Sequence, residues 1–379
     1  MGTHNEMTDR QRKLACLRYQ EIDRVPVVHF GFWRETLAKW ADEGHLSREL
    51  AAAWGDGNEA DREISAILGF DSNWSCCFGG VTGIFPRFDG VTVATFPDGS
   101  RHVRNGEGVT LLERPEAGSI PSEIAHLLKD RVSWEEHYKW RYAWSPERIN
   151  KDRLQKMVDS RPEDREQMLG LFCGSLIGSI RNILGIEGLS YLAVDDEELF
   201  DEIITANADT CYNLVKYVLE AGFRPDFAHF WEDICYKNGP LVSPRVFREK
   251  IAGHYRRITD LLHAYDVDII SVDCDGWIDA LLPVWLENGV NTMFPIEVGT
   301  WNASIAPWRE KYGRDVLGVG GVNKTVLAKD QDAVDAEVER VLTLARLGGF
   351  IPCLDHRIPP DAKWDLVRYY CERMRAVEL

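Results

Sequence analysis

The stretch 267–296, VDIISVDCDGWIDALLPVWLENGVNTMFPI, decides the fold. It opens with a short apolar run rich in β-branched residues, VDIISVD. A segment of helical periodicity follows, and a second apolar run, VNTMFPI, closes it. Two buried strands joined by a helical crossover lie parallel in one sheet. The first strand stops on Asp273-Cys274-Asp275-Gly276, so carboxylates stand where a parallel strand ends.

The same unit repeats outward from this stretch. Strand-like runs precede it at 24–33 (RVPVVHFGFW), 70–78 (FDSNWSCCF), 168–176 (MLGLFCGSL) and 226–232 (DFAHFWE). Two more follow, at 315–321 (DVLGVGG) and 349–355 (GFIPCLD). Helical periodicity fills the gaps. In 335–347 (DAEVERVLTLARL), for example, Val338, Val341, Leu342 and Ala345 fall on one face. Eight strands with helical crossovers predict an α/β fold, a (β/α)8 TIM-type barrel forming one domain over 1–379, with reactive residues at the C-terminal strand ends. One stretch breaks the alternation. Val91-Thr92-Val93-Ala94-Thr95-Phe96 has period two, Pro97-Asp98-Gly99-Ser100 makes a turn, and His102-Val103-Arg104 returns. This predicts a β-hairpin at 84–112, within an insertion over about 84–118. The following 120–164 is expected to be mostly helical.

Charge narrows the function. The 379 residues carry 44 Lys+Arg against 61 Asp+Glu, a formal net charge of −17. Tracking a phosphate backbone or an anionic lipid surface needs a basic face, so neither nucleic acid nor membrane is an expected partner. No apolar run reaches the roughly 18 residues of a spanning helix. The polar opening 1–12 has no signal-peptide core, so the expected compartment is the cytoplasm. Nine cysteines, with no C-x-x-C, do not make a disulfide scaffold or a zinc ribbon. Nucleotide-binding, α/β-hydrolase and H-E-x-x-H signatures are absent.

The strand ends offer Glu232-Asp233, Asp273, Asp275, Glu297 and Asp355-His356. Carboxylates gathered at one barrel mouth repel unless a cation, a proton or an arginine sits among them. Two arrangements stay open. Asp273, Asp275 and His356 can form a three-ligand site for a divalent metal, zinc first, with manganese or iron also compatible. Alternatively, a carboxylate pairs with His356 and another caps the next helix. Asp273 and His356 are the expected catalytic residues, with Glu232 or Glu297 as general base. Phe30, Phe32, Trp33 and Trp231 are expected to wall a mouth for a small flat substrate. Arg34 or Lys324 is expected to hold one carboxylate or phosphate. His29 and His229 lie inside apolar strands and read first as core histidines; His29 is also kept as a substrate-side candidate.

With these residues in hand, the sequence resembles the uroporphyrinogen decarboxylase superfamily. The resemblance runs from Arg10-Gln11-Arg12 and Asp23-Arg24-Val25-Pro26-Val27 through Ser243-Pro244-Arg245-Val246-Phe247 and Asp273-Cys274-Asp275-Gly276. It continues with Glu287-Asn288-Gly289-Val290, Pro295-Ile296-Glu297, Gly320-Gly321-Val322-Asn323-Lys324 and Asp355-His356-Arg357-Ile358-Pro359-Pro360-Asp361. The family's fold is a (β/α)8 barrel.

The resemblance implies one of two chemistries. The decarboxylases hold a tetrapyrrole's carboxylates with two arginines in an R-Q-A-G-R segment. Here that segment reads His29-Phe30-Gly31-Phe32-Trp33-Arg34, with a single arginine. Their catalytic Asp has only Asp71 as a nearby counterpart. The thiol-using members of the corrinoid-linked methyltransferases use H-x-C-G and a late Cys to bind zinc. Here those positions read Asp273-x-Asp275-Gly276 and His356. The corrinoid-binding D-x-H-x-x-G is absent, so a corrinoid would arrive on a partner protein. The expectation is a methyltransferase-type enzyme acting on a small methoxy, pterin or related substrate. The alternatives are decarboxylation of uroporphyrinogen or a smaller carboxylate, and a catalytically silent partner subunit.

Overall fold

Strands β1 (Val28–His29), β2 (Ser72–Asn73), β3 (Cys77–Phe78), β8 (Gly170–Gly174), β9 (Phe227–Trp231), β12 (Ile270–Asp273), β13 (Thr292–Ile296), β14 (Leu317–Val322) and β15 (Phe350–Leu354) make one parallel sheet in the computed structural model. Their order is β2-β1-β15-β14-β13-β12-β9-β8-β3. The two ends of that order, β2 and β3, are neighbouring pieces of chain separated only by residues 74–76. The sheet therefore closes on itself as the eight staves of a (β/α)8 barrel. The structure describes residues 6–114, 121–160 and 165–377.

The second stave departs from the continuous strand expected over 70–78. Val28 and His29 pair with Ser72 and Asn73, whereas Cys77 and Phe78 pair with Gly170 and Leu171 on the other side. Between them the chain turns. The Trp74 N–H donates to the His29 carbonyl (3.0 Å), and the Ser75 N–H donates to Asn73 Oδ1 (2.9 Å). The first stave is also shorter than the run 24–33. Pro26 has no N–H for a ladder, and Gly31 turns the chain at φ +88°.

Period-two alternation sorts the strand residues into two cores. On β9, Ala228 and Phe230 face the surrounding helices, and Phe227 faces the barrel interior. On β12, Ile270 and Val272, with Cys274 just beyond, face the helices. Asp273 and Trp231 thereby share the interior side of their strands. The interior is filled below them by Val28, Phe30, Trp74, Phe294, Val319 and Ile351. The outer helices follow the same logic. Helix Gln331–Ala345 starts at its Asp330 cap, which accepts from the Ala333 N–H (2.9 Å), and buries Val334, Val338, Val341, Leu342 and Ala345. Burying each such Val or Leu is worth roughly 1.5–3 kcal/mol relative to exposure.

Helix Asp9–Leu17 closes the N-terminal end of the barrel, with Cys16 and Leu17 in the interior cluster. Asp71 belongs to that end too, where Arg24 and Arg375 bond its carboxylate. The expected hairpin forms as β4 (Val91–Thr95) and β5 (Arg101–Arg104), paired through Thr92 and Val103. It continues into β6 (Val109–Glu113) and β7 (Ser122–His126), giving a four-stranded antiparallel sheet, while β10 (Cys235–Tyr236) and β11 (Gly239–Pro240) form a short antiparallel pair after β9. β7 is exposed along nearly its whole length, so it carries no apolar alternation to announce it. Residues 115–118 of the expected insertion, and 120 and 161–164 of the segment after it, lie outside the described residues. Among the described residues no helix is long and apolar enough to cross a membrane.

Candidate active site

Three staves end on acidic residues at one mouth. β9 runs out into Glu232 and Asp233, β12 ends on Asp273 and leads to Asp275, and β15 leads to Asp355 and His356. They surround a cavity of about 620 Å³. Its walls are Phe30, Trp33, Phe172 and Trp231; Asp233, Asp273, Asp275, His229 and His356 supply its polar side. Ser75, Cys77, Gly79, Gly80, Arg153 and Arg357 complete it.

Asp273 is buried, 6% exposed. Among the described residues nothing hydrogen-bonds its carboxyl group. Burial, then the charges of Asp275 and Asp233, push its pKa well above the usual carboxylate range. Asp273 thus keeps its proton to higher pH than an ordinary aspartate. The other carboxylates have partners. Asp233, at a left-handed φ of 45°, meets the Arg181 guanidinium at 3.4 Å. Asp275 Oδ2 lies 3.3 Å from His356 Nε2, while its Oδ1 is buried without a partner. Glu297 accepts from the Gly276 N–H (2.6 Å) and the Thr300 hydroxyl (2.8 Å). Burial, then the Asp275 charge, raises the pKa of both Asp233 and Glu297. Trp33 stacks on the His356 ring at 5.8 Å and 22°, and Phe30 meets it edge-on at 5.3 Å. These rings fix the imidazole against Asp275.

Of the expected residues, the cavity gathers Asp273, Asp275, His356, Phe30, Trp33 and Trp231. Six others stand elsewhere, Glu297 among them with the partners given above. Glu232 is fully buried; its carboxylate accepts from the N–H groups of Leu176 (2.7 Å), Ile177 (3.0 Å) and Gly178 (2.7 Å), from Ser175 Oγ (3.0 Å) and from the Tyr255 hydroxyl. It caps helix Gly178–Asp195, and these bonds leave no lone pair for a general base. His29 is enclosed, its Nδ1 accepting from the Gly31 N–H (2.9 Å) and its Nε2 meeting Ser65 Oγ (2.8 Å). Burial pushes its pKa down to about 4, so it is a neutral core histidine. Phe32, 1% exposed, packs against Trp40 and Trp54. The Arg34 guanidinium lies 6.0 Å over the Trp54 ring. Lys324 Nζ stands 3.9 Å from Asp355, whose oxygens also accept from the N–H groups of Gly299 and Lys324.

The cavity also holds residues that strand-end reasoning missed. His229 faces it from inside β9, made neutral by burial that lowers its pKa to about 4. Phe172 comes from β8, and Arg357 follows His356 and pairs with Asp56 (2.7 Å). Arg153 comes from helix Lys151–Asp159, which precedes β8, and no strand-end signal marks it.

The expected metal set does not form. Among the described residues, no group of three or more His, Cys, Asp or Glu side chains is arranged to hold a metal ion. Asp275 faces His356 through Oδ2, and Asp273 is the more deeply buried of the two aspartates. The contact of a carboxylate with His356 is present, but among the described residues neither Asp273 nor Asp275 makes the helix-capping bond expected beside it.

The profile of a family described as uroporphyrinogen decarboxylase (URO-D) matches residues 161–377. A methyltransferase from Methanosarcina mazei superposes with a TM-score of 0.60 at 14% identity, over 97% of this chain and 98% of that one. A B12-independent methionine synthase from Shewanella sp. W3-18-1 matches over 58% of this chain and 65% of its own, at 11% identity and a TM-score of 0.38. At these identities the first likeness is one of fold, and the second carries no further weight. No curated protein matches the chain.

Proposed function

The chain belongs to the uroporphyrinogen decarboxylase family, and on that premise we propose that it is a methyltransferase-type enzyme for a small methoxy, pterin or related substrate. The family's members are enzymes, both decarboxylases and methyltransferases. The observation that carries the choice is Asp273, a proton-holding carboxyl with no partner, facing a small cavity walled by Trp33, Trp231, Phe30 and Phe172. A flat ring fits between such walls. With its methoxy oxygen at Asp273, the carboxyl gives its proton to that oxygen as the oxygen–methyl bond breaks. The bonding pair stays on oxygen, the product leaves as a neutral hydroxyl compound, and water restores the proton to Asp273. A corrinoid carried by a separate protein supplies the methyl acceptor. His356, held by Asp275 and Trp33, lines the same cavity and orients the substrate.

The cavity's charge supports this reading over tetrapyrrole decarboxylation. A tetrapyrrole would bring several carboxylates into a space of about 620 Å³ with few cations to meet them, since Arg357 is already paired with Asp56, and a carboxylate left there without a partner is costly. The test supplies the protein with small methoxyarenes, charged and neutral, and chemically reduced cobalamin, and follows formation of the phenol. Phenol formation that falls about 100-fold or more in Asp273→Asn is expected for loss of a general acid. Carbon dioxide released from uroporphyrinogen, with no phenol from any methoxyarene, would overturn the proposal.

A further inference from the structure

The charges of the cavity leave one group over. Asp233 has Arg181, Asp275 has His356, Arg357 has Asp56, and Asp273 keeps its proton. Arg153 alone among these has no carboxylate: among the described residues its guanidinium makes no hydrogen bond or ion pair. It is not loose, because it lies 5.4 Å over the ring of Phe78, which is buried. Stacking of this kind holds a guanidinium plane in place while leaving its N–H edge open. Ser75 also lines the cavity, and its hydroxyl oxygen is buried with no hydrogen-bond partner. Two residues with unspent donors thus line one cavity, and a buried hydroxyl left unpaired is costly.

We infer that Arg153 and Ser75 form an anion subsite that takes the carboxylate of the substrate, with the reacting methoxy group directed to Asp273. The substrate class is then a small methoxylated aromatic acid. A carboxylate matches the planar guanidinium fork with two parallel N–H bonds, and Ser75 Oγ can donate a third. This rests on the methyl-transfer reading for the reacting end, but the subsite is defined by binding alone.

Calorimetric titration of the full chain with 4-methoxybenzoate and with its neutral isostere 4-methoxybenzamide tests it. A charge-assisted pair predicts that the benzoate binds about 10-fold or more tighter than the amide. The preference should fall to about 2-fold or less in Arg153→Met, which keeps the stem and removes the charge. Ser75→Ala should weaken the benzoate several-fold and the amide little. Arg153 is exposed on its helix, so the variant keeps its fold, which circular dichroism checks. Equal binding of the two compounds, binding of neither, or a preference that survives in Arg153→Met would overturn the subsite. Phenyl phosphate binding tighter than the benzoate would overturn the assignment to a carboxylate. A confirmed benzoate preference without phenol formation would leave the subsite standing and remove the methyl-transfer reading. Demethylation of methoxybenzene as fast as of 4-methoxybenzoate would do the reverse.

Discussion

Asp273 resists ionisation because it is buried among other carboxylates, and that resistance is measurable in folding. Its pKa is raised in the native state, so between an ordinary aspartate value of about 4 and the raised native value the folded chain binds the extra proton. Stability contributed by this group is therefore full below about pH 4 and is lost as pH rises through the native value. We expect the melting temperature of the wild type, relative to that of Asp273→Asn, to fall as pH rises from about 4 to the native value. Equal slopes for the two proteins, measured by calorimetry, would remove the assignment of the proton to Asp273. Asp273, Asp275, His356, Trp33 and Trp231 were legible because each follows or ends an apolar run, and a parallel barrel brings such ends together. Glu232 had the same signature and a different fate. One step along the strand turned it to the helix side, where three backbone N–H groups claimed its carboxylate.

That clasp joins two elements, the end of β9 and the start of helix Gly178–Asp195. The approach is close enough that a Cβ on Gly178 would lie 1.8 Å from the Glu232 carbonyl oxygen. Gly178→Ala must push the helix off the strand and break the bonds to the Glu232 carboxylate. We expect a loss of about 3 kcal/mol or more, read from urea unfolding, with binding of 4-methoxybenzoate weakened because Trp231 and Asp233 flank the displaced residue. A loss under about 1 kcal/mol would mean that the helix start adjusts freely. Element type was readable from periodicity for β9, β12 and helix Gln331–Ala345. The second stave was not. Its residues 70–78 form one apolar run, and only the closing of the ring forces the chain to leave one neighbour at Asn73 and join another at Cys77. Arg153 was hidden too, because it lies on helix Lys151–Asp159 rather than at a strand end.

Across the whole molecule the thiols report how tightly the barrel is packed. Of the nine cysteines, seven are buried, and only Cys76 and Cys77 are partly exposed. Burial raises the pKa of both thiols, so the reactive thiolate is scarce. We expect a disulfide reagent to modify native protein slowly and only at these two, to modify all nine in denaturant, and to be slowed further by 4-methoxybenzoate, since Cys77 lines the cavity. Rapid modification of more than two thiols in the native state would contradict the packing. The barrel was legible in the sequence as eight spaced apolar runs, but its point of closure was not, and that point has a consequence of its own. The ring is joined through β2 and β3, two residues each, while the opposite staves carry four to six. A seam so sparsely bonded is where the native barrel opens first, so backbone amides at 72–78 should exchange with deuterium ahead of those in β12 and β14. Ser75 lies in that seam and Arg153 leans on it through Phe78. A ligand bridging them would rivet the join, and protection from exchange there would report occupancy of the cavity without any catalytic turnover.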